Sequence, residues 1–577
     1  MSKQPIIEFE NYSFQYNSQA EPTLNRINLK IYPGEKILII GPSGSGKSTL
    51  GNCLNGLIPF SYKGVSQGSL KIKGIETSSL DIFQMSKMIG TVLQDSDGQF
   101  VGLTVGEDVA FAMENDCISH QIMHDRVAKV AKMVDMDNFL ASSPYELSGG
   151  QKQRTALAGV LIDDVDILLF DEPLANLDPA TGKVAIEIID DIHKQSQKTI
   201  IIIEHRLEDV LHREIDRVIT INDGRIIADM NPHELVASEV LIQNGIREPL
   251  YVTAMKYAKI KVTAAMRAGH IWSLNTDGVN EALRNWHKSI QTITHENTNP
   301  SILKIENMSF SYDGIRQILD KVDFDIREGE MVAIVGKNGA GKSTVSKILC
   351  GFIKEDSGAI LYAGKSIAAK KIKERAEIIG LVMQNPNQMI SKNLIFDEVA
   401  LGLRLRKIPE AEIKPKVDKI LKICGLAPFV DWPISALSYG QKKRVTIASI
   451  LVINPKILIM DEPTAGQDYR HYSDIMEFLR EINKLGVTII LITHDMHLML
   501  EYTPRAIVLA AGEKISDTQA SVVLTDNWVI EEANLKRTSL FDLAQMAGIV
   551  DETKFVQGFI DYERWVSKER ENETVLL

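Results

Sequence analysis

Cysteine is scarce in this sequence, with four residues among 577, and no two of them form a Cys-x-x-Cys pair. So few and such scattered thiols exclude a disulfide framework and a cysteine-based zinc site, and they suit a reducing compartment such as the cytosol. Aromatic residues make up only 6% of the chain, whereas 44% of its residues are hydrophobic and 24% are charged. This composition excludes a collagen-like, low-complexity or disordered chain.

Long apolar runs are also missing. The run at residues 200–203 is typical, because it is short and ends at a charged residue. A helix that crosses a bilayer needs roughly 18 to 20 apolar residues, and no apolar signal segment follows the first residues. We therefore expect short buried strands of a parallel sheet, and a chain that meets a membrane only through partner proteins.

Basic residues are outnumbered by acidic ones, 64 against 76, which gives a formal net charge of −12. Proteins that bind nucleic acid usually show the opposite balance, because they must neutralise phosphates. We therefore expect no nucleic-acid partner. The length exceeds what one hydrophobic core supports, so several domains are expected.

Three motifs occur twice, in the same order. Gly-Pro-Ser-Gly-Ser-Gly-Lys-Ser-Thr at 41–49 returns as Gly-Lys-Asn-Gly-Ala-Gly-Lys-Ser-Thr at 336–344, Leu-Ser-Gly-Gly-Gln at 147–151 returns as Leu-Ser-Tyr-Gly-Gln at 437–441, and Asp-Glu-Pro at 171–173 returns at 461–463. This repetition predicts one domain that was duplicated and fused.

Each glycine motif follows a short apolar segment and precedes a helical pattern. The two segments are Lys36–Ile40 and Met331–Val335, and further apolar segments alternate with helix-length stretches in both halves. Such alternation predicts an α/β fold. The glycine motif fits the P-loop pattern G-x-x-x-x-G-K-[ST], whose backbone N–H groups bind phosphate at a helix N-terminus.

The P-loop pattern assigns roles to its last residues. Lys47 and Lys342 are expected to bind the β- and γ-phosphates, and the Ser48 and Ser343 hydroxyls are expected to bind Mg²⁺. ATP and Mg²⁺ are therefore the predicted substrate and cofactor.

Two carboxylates end an apolar strand in each half. Asp171 and Asp461 are expected to hold Mg²⁺ through water, and Glu172 and Glu462 are expected to act as general bases on the attacking water. A histidine, His205 or His494, follows a later apolar strand and fits a contact with the γ-phosphate.

These motifs in this order resemble the ATP-binding cassette (ABC) ATPases, and Leu-Ser-Gly-Gly-Gln is the most diagnostic of them. The resemblance implies two P-loop α/β nucleotide-binding domains in tandem, each with a helical subdomain and a C-terminal helical extension. The predicted domains are a first cassette at 1–235, a helical extension and linker at 236–300, a second cassette at 301–525 and a helical extension at 526–577.

The same resemblance implies the roles of further residues. Gln94 and Gln384 match the Q-loop glutamine that senses Mg²⁺ and the γ-phosphate, and Tyr16 and Tyr312 match the aromatic residue that stacks on adenine. Asp178 and Asp468 match the D-loop aspartate.

In this family two cassettes close head to tail on two ATP molecules, so the halves are expected to form an intramolecular pseudo-dimer. Ser148 and Gly150 would then face the site of Lys342, and Ser438 and Gly440 would face the site of Lys47. Tyr439 stands where the family has glycine. We expect the site built on Lys47 to close less readily for that reason.

The predicted site residues form three sets. The catalytic residues are Glu172, Glu462, His205 and His494. The ATP-binding residues are Gly41, Pro42, Ser43, Gly44, Ser45, Gly46, Lys47, Ser48, Thr49, Gly336, Lys337, Asn338, Gly339, Ala340, Gly341, Lys342, Ser343, Thr344, Tyr16, Tyr312, Gln94, Gln384, Ser148, Gly149, Gly150, Ser438 and Gly440. The metal ligands are Ser48, Gln94, Asp171, Ser343, Gln384 and Asp461.

The segments at 94–111, 384–390 and 396–403 resemble the energy-coupling factor (ECF) ATPases, which drive uptake of vitamins and of cobalt or nickel. This resemblance implies a transmembrane T-component, a substrate-binding S-component and a position at the cytoplasmic face of the membrane. Fused pairs of this type resemble ATPases of thiamine or hydroxymethylpyrimidine import. The alternatives are a soluble ribosome-associated twin-cassette ATPase and the ATPase of a conventional sugar importer.

Overall fold

The computed structural model describes residues 4–94, 96–175, 177–290, 297–464 and 467–575, with the side chains of 96–97 and 567–575 excepted. Parts of the predicted domains lie outside these residues, namely 1–3, 291–296 and 576–577, as do residues 95, 176, 465 and 466 of the motifs. The chain divides into two compact units. One holds the chain up to Trp286 with the segments Asp468–Arg470 and Met546–Gly548, and the other holds the remainder.

The first unit contains ten strands and twelve α-helices among its described residues. The strands are β1 (Ile7–Tyr16), β2 (Leu24–Ile31), β3 (Lys36–Ile40), β4 (Gly64–Ile72), β5 (Ile75–Glu76), β6 (Ile89–Val92), β7 (Ile167–Asp171), β8 (Thr199–Ile203), β9 (Arg217–Asn222) and β10 (Arg225–Met230). The helices are α1 (Lys47–Leu54), α2 (Leu57–Phe60), α3 (Ile82–Ser86), α4 (Val105–Asn115), α5 (His120–Met133), α6 (Gly149–Leu161), α7 (Pro179–Ser196), α8 (Leu207–Val210), α9 (Pro232–Ala237), α10 (Val240–Gln243), α11 (Leu250–Tyr257) and α12 (Asn280–Ser289).

Two sheets enclose the P-loop helix of the first unit. An antiparallel sheet has the order β2-β1-β4-β5, and a six-stranded sheet has the order β10-β9-β3-β8-β7-β6. All five residues of β3 and of β8 are buried, as expected for parallel strands covered on both faces. The core between the sheets includes Leu50, Cys53 and Leu54 of α1, so this helix is fixed on both sides.

The second unit repeats this arrangement. Its strands are β11 (Ser301–Ser311), β12 (Gln317–Arg327), β13 (Met331–Val335), β14 (Ser357–Tyr362), β15 (Lys365–Ser366), β16 (Ile379–Val382), β17 (Ile457–Asp461), β18 (Thr488–Ile492), β19 (Arg505–Ala510) and β20 (Glu513–Gln519). Its helices are α13 (Lys342–Cys350), α14 (Ile372–Arg375), α15 (Ile395–Arg404), α16 (Glu410–Ile423), α17 (Tyr439–Leu451), α18 (Tyr469–Lys484), α19 (Met496–Tyr502), α20 (Ala520–Val523), α21 (Asn527–Glu532), α22 (Ser539–Met546) and α23 (Glu552–Val575).

The sheets of the second unit have the orders β12-β11-β14-β15 and β16-β17-β18-β13-β19-β20, the same topology as in the first unit. Helices α15, α16 and α17 form a helical subdomain that shares one hydrophobic core with β17 and α18. The expected α/β fold is confirmed, and the strands predicted at Lys36–Ile40 and Met331–Val335 are present with those bounds.

Both cassettes are followed by helices, α9 to α12 and α20 to α23, whose packing the sequence did not predict. In the first extension, α11 is mostly buried and the Tyr251 hydroxyl donates to the Ala268 carbonyl at 2.7 Å. In the second, Phe555, Val556, Phe559 and Ile560 of α23 are buried. Both extensions therefore pack as folded parts of the protein.

Candidate functional site

The loop between β3 and α1 has the geometry of a phosphate-binding loop. Gly46 has a φ of 103°, and a Cβ at this position would lie 2.9 Å from the Thr23 carbonyl oxygen, so glycine is required by both conformation and space. The buried Lys47 ammonium donates to the carbonyls of Gly41 and Pro42 at 2.8 and 2.9 Å. Burial lowers the pKa of Lys47, against the attraction of the nearby Glu172 carboxylate.

The loop between β13 and α13 repeats these features. Gly341 has a φ of 97°, and a Cβ there would lie 3.1 Å from the Ile318 carbonyl oxygen. Lys342 donates to the carbonyls of Gly336 and Lys337 at 2.7 and 3.0 Å. The predicted phosphate-binding residues at 41–49 and 336–344 all lie in these two loops and the first turns of their helices.

The predicted carboxylates lie at the carboxyl ends of two central strands. Asp171 ends β7 opposite Ile203 of β8, so its side chain lies at the same edge of the sheet as the P-loop. Glu172 follows with a φ of 50°, and Glu462, which follows Asp461, has a φ of 44°. Left-handed conformations are costly for residues other than glycine and tend to occur at functional sites.

The first site holds carboxyl groups with raised pKa values. Burial and the charge of Glu204 raise the pKa of Asp171 to about 6, although Lys47 opposes this. Burial, with the charges of Glu204 and Asp171, raises the pKa of Glu172 to about 7. A carboxylate whose pKa lies near neutral pH is suited to accept a proton from water.

Glutamine and histidine side chains complete the first site. The Gln94 amide donates to Glu172 Oε2 at 2.6 Å. His205 Nδ1 lies 3.9 Å from Glu172 Oε1 and closer, at 3.1 Å, to Glu204 Oε1. Glu204 is fully buried and accepts backbone N–H bonds from Leu174 and His205 at 3.2 and 2.8 Å. Burial lowers the pKa of His205, which favours its neutral form.

The second site joins its histidine directly to the predicted base. His494 Nδ1 lies 2.7 Å from Glu462 Oε1, and the Thr493 hydroxyl donates to Glu462 Oε2 at 3.3 Å. The Ser343 hydroxyl donates to Asp461 Oδ2 at 3.5 Å. Burial and the charge of Glu462 raise the pKa of Asp461.

Glu204 and Thr493 are site residues that the sequence analysis missed. Each precedes the strand-end histidine; Glu204 lies beside His205, and Thr493 bonds to Glu462. The signal was present as a difference between the halves, Glu-His in one and Thr-His in the other.

The Leu-Ser-Gly-Gly-Gln motifs begin the helices α6 and α17. Ser148 and Gln151 form a reciprocal capping box, with the Ser148 N–H donating to Gln151 Oε1 at 2.9 Å. Ser438 and Gln441 do the same at 2.9 Å. The backbone N–H groups of a helix N-terminus suit an anion. That these serines and Gly149, Gly150 and Gly440 bind ATP stays a prediction.

The aromatic residues lie beside their P-loop helices. The Tyr16 hydroxyl lies 3.1 Å from Thr49 Oγ1, and the Tyr312 hydroxyl lies 3.3 Å from Thr344 Oγ1. Tyr312 is 59% exposed, so the face of its ring is accessible to a base. Stacking on adenine stays a prediction.

The aspartates matched to the D-loop are buried. Asp178 is the N-cap of α7 and accepts the Thr181 N–H at 2.9 Å, and Asp468 is 4% exposed.

The donor set beside each P-loop suits Mg²⁺. Asp171 Oδ1 is buried and has no hydrogen-bond partner among the described residues, so it can accept a bond from a metal-bound water. No group of three or more histidine, cysteine and acidic side chains suited to a metal lies within the described part of the chain. A hydroxyl, a carboxylate and substrate phosphates are the ligands by which Mg²⁺ is usually held at ATP, and Ser48 or Ser343 would supply the hydroxyl.

None of the helices in the described ranges is both long enough and apolar enough to cross a membrane.

This fold and these two sites define a class of protein, the tandem P-loop ATPases. The comparisons with known proteins then give the family. The ABC transporter family matches residues 24–175 and 319–465, and a family described as ATP-binding cassette cobalt transporter matches residues 238–310. The chain belongs to the ABC transporter family, whose ATP-binding proteins hydrolyse ATP to drive transport.

Full-length relatives agree with this assignment. A protein of Clostridium perfringens provisionally named ABC transporter ATP-binding protein is 59% identical over 98% of this chain and 99% of its own length. A protein of Photobacterium profundum with the same type of name is 55% identical over 96% of this chain and 99% of its own length. Among solved structures, cbiO1 of Clostridium perfringens, described as part of the ABC transporter complex cbiONQ, is 37% identical over 44% of this chain and 99% of its own, with a TM-score of 0.38.

Proposed function

We propose that this chain is the double ATPase of an ECF-type importer that brings a vitamin, a vitamin precursor or a metal ion into the cell. The observation that carries the proposal is the match of residues 238–310 to a family described as ATP-binding cassette cobalt transporter. The segments after Gln94 and Gln384, which resemble the ECF ATPases in both halves, add support. Thiamine or hydroxymethylpyrimidine is the solute suggested by the fused arrangement, and cobalt is the solute in the name of the matched family.

The proposed partners are a transmembrane T-component and a substrate-binding S-component at the cytoplasmic face of the membrane. The chain would contact the membrane only through them. The two cassettes would close on two ATP molecules and part after hydrolysis, and this cycle would move the T-component. ATP drives such a cycle only if it binds the closed state more tightly than the open state.

The first site suggests how hydrolysis would proceed. The Lys47 ammonium, which donates to the Gly41 and Pro42 carbonyls, would exchange these acceptors for phosphate oxygens. Glu172 would take a proton from the attacking water at a carboxylate oxygen, while Gln94 holds that carboxylate in place at 2.6 Å. His205 would donate to the γ-phosphate as charge develops there.

The second site would use the same chemistry, with Lys342 at the phosphates, Glu462 as base and His494 bonded to it at 2.7 Å. Mg²⁺, held by Ser48, Asp171 and Gln94 or by Ser343, Asp461 and Gln384, would neutralise charge on the phosphates.

Transport by the reconstituted complex tests this proposal. The chain and its native membrane partners, purified together and placed in lipid vesicles, should take up labelled hydroxymethylpyrimidine, thiamine or Co²⁺ when ATP is supplied on the side of this chain. The double variant Lys47→Ala, Lys342→Ala should abolish both ATP turnover and uptake, because each lysine is the phosphate-binding cation of its site. Uptake of a sugar instead, or ATPase activity that requires ribosomes, would support one of the alternatives.

A further inference from the structure

The first turn of α17 contacts the Q-loop of its own cassette, which we define as residues 383–389. We call the Leu-Ser-Gly-Gly-Gln motif the signature motif, and the helix that it begins, α6 or α17, the signature helix. Tyr439 replaces a glycine in the second signature motif, and its hydroxyl donates to the Gln384 carbonyl at 3.1 Å. Lys443 lies one turn further along the same helix face. Its ammonium donates to the carbonyls of Met383 and Gln384, both at 2.8 Å. Three hydrogen bonds from one helix therefore end on two consecutive Q-loop carbonyls.

Lys443 is a lysine in an unusual position, because the residue is 0% exposed. Lysine is rarely fully buried unless its ammonium group is paired. The two carbonyls satisfy two of its three donors, and the carboxylates of Asp461 and Glu462 are near enough to favour its charge. Burial nevertheless lowers its pKa to about 8. Lys443 is thus buried, at a cost in free energy, where the second Q-loop and α17 meet the end of β17.

The first cassette has different residues at the two equivalent positions. Gly149 stands in the place of Tyr439 and offers no side chain, and Gln153 stands in the place of Lys443. Gln153 donates to the carbonyl of Pro173, which follows the catalytic glutamate. The helix of the first cassette is therefore bonded to the segment after β7.

The Gln99 side chain bonds two backbone groups at the first Q-loop, of which residues 93–94 and 96–99 are described. The Leu93 N–H donates to Gln99 Oε1 at 3.0 Å, and the Gln99 amide donates to the Thr91 carbonyl at 3.1 Å. Met389 occupies the place of Gln99 in the second cassette, where its sulfur accepts the Met383 N–H at 3.2 Å. Gln99 thus bonds the first Q-loop to β6, and Tyr439 and Lys443 bond the second Q-loop to α17.

We propose that Tyr439 and Lys443 form a latch that joins the signature helix of the second cassette to its own Q-loop, so that the two elements move as one body and Gln384 is held in position for hydrolysis. Both are positioning residues, since they act through the Gln384 backbone. Movement of the second Q-loop would then be passed to Ser438 at the start of α17. The latch rests on the ATPase chemistry of the chain and not on the identity of the transported solute.

Hydrogen exchange of the full-length chain tests the latch without any transport assay. Tyr439→Phe removes one hydroxyl and keeps the ring, so it should raise amide exchange in residues 383–389 by about two- to tenfold, the range expected for loss of one hydrogen bond. Exchange in residues 93–99 should not change and serves as the internal reference. Gln99→Met places the residue of the second cassette, Met389, in the first. This variant should raise exchange in residues 93–99 and leave exchange in residues 383–389 unchanged. Equal changes in both Q-loops, or no change in 383–389, would overturn the proposal.

Steady-state kinetics provide the second readout. In a Glu172→Gln background, which leaves hydrolysis to the second site, Tyr439→Phe should lower kcat by about two- to tenfold with little change in the KM for ATP, because Lys342 and the P-loop are untouched. Lys443→Met should lower kcat further, and Lys443→Gln, which keeps a donor, should recover part of the loss. Tyr145→Phe is the matched control, because Tyr145 lies near the first signature motif and is 67% exposed. A rise in KM with unchanged kcat would contradict a positioning role.

Discussion

Glu172 and Glu462, the proposed general bases, share an unusual backbone conformation. Both adopt a left-handed backbone conformation, and each backbone N–H donates to the carbonyl of the residue that ends the neighbouring strand, Ile203 or Ile492, at 2.8 and 2.9 Å. These bonds offset a conformation that costs of order 1–3 kcal/mol. The Glu172 carboxylate is near enough to the Lys47 ammonium for their charges to interact.

Gly46 gives the first prediction at this scale. Gly46→Ala should destabilise the first cassette by about 1–3 kcal/mol and weaken ATP binding, since it combines a positive φ with a close approach to the Thr23 carbonyl. Gly44→Ala is the matched control, because Gly44 also has a positive φ but a Cβ there would meet no atom within 4 Å. Thermal unfolding and titration with a fluorescent ATP analogue measure the two effects. Losses of equal size in the two variants would show that the steric contact has no influence.

The residues that sequence reasoning found are those fixed by local pattern. Asp171 ends an apolar strand, Glu172 follows it, and Lys47 follows another strand across a glycine loop, so the elements could be predicted. Their chemistry stays a prediction. Glu204 and Lys443 were missed because their importance comes from contacts with backbone groups of distant segments, and neither contact leaves a pattern in one sequence.

At the scale of elements, a buried ion pair joins the P-loop strand to a helix. Lys36 of β3 bonds to Asp190 of α7, which also accepts from Lys194 at 2.7 Å. Lys36 and Asp190 are 4% and 2% exposed. Burial disfavours the charge of Asp190, but the hydrogen bonds from Lys194 and Lys36 outweigh it and hold the pKa of this carboxyl below its usual value.

Lys36→Met should therefore destabilise the first cassette at neutral pH by about 1–3 kcal/mol, the usual cost of leaving a buried acceptor without its partner. Because the folded pKa of Asp190 is lowered, its contribution is present above the unfolded value of about 3.9 and is lost as the pH falls through the lower folded value. The difference in unfolding midpoint between the variant and the native chain should be full at pH 7 and shrink below about pH 4.

Lys194→Met serves as the control, since the Lys194 side chain is 61% exposed and its loss should cost less. A difference for Lys36→Met that stays constant from pH 7 to pH 3.5 would show that the ion pair does not stabilise the fold.

Elements were predicted best where strand, loop and helix follow one another within a few residues. The strands at Lys36–Ile40 and Met331–Val335 and the helices after them are present as expected. The extensions after each cassette could not be predicted, because the positions of α9 to α12 and α20 to α23 depend on packing against distant parts of the chain. The sequence offered only short amphipathic stretches there.

At the scale of the whole molecule, the two ATP sites have the same topology but different surroundings. His205 Nδ1 lies closer to Glu204 than to Glu172 in the first site, whereas His494 Nδ1 lies 2.7 Å from Glu462 in the second. Tyr439 also replaces a glycine in the signature motif predicted to serve the first site. These differences point to unequal turnover.

Glu462→Gln should therefore lower total ATPase activity about tenfold, as removal of a general base does, whereas Glu172→Gln should lower it by only about a tenth because the second site carries most of the turnover. Steady-state phosphate release by the purified complex measures both variants. If the two substitutions reduce activity equally, the sites are equivalent and the expected asymmetry is wrong.

The central claim, that this chain drives a membrane importer, is tested most directly by its stable partners. The chain should be captured under gentle detergent from its native cells, and the proteins retained with it identified and quantified by mass spectrometry. The account predicts small, hydrophobic membrane proteins in about one-to-one ratio, including a substrate-binding subunit that would define the solute class. Recovery of ribosomal proteins with no membrane partner would contradict the account.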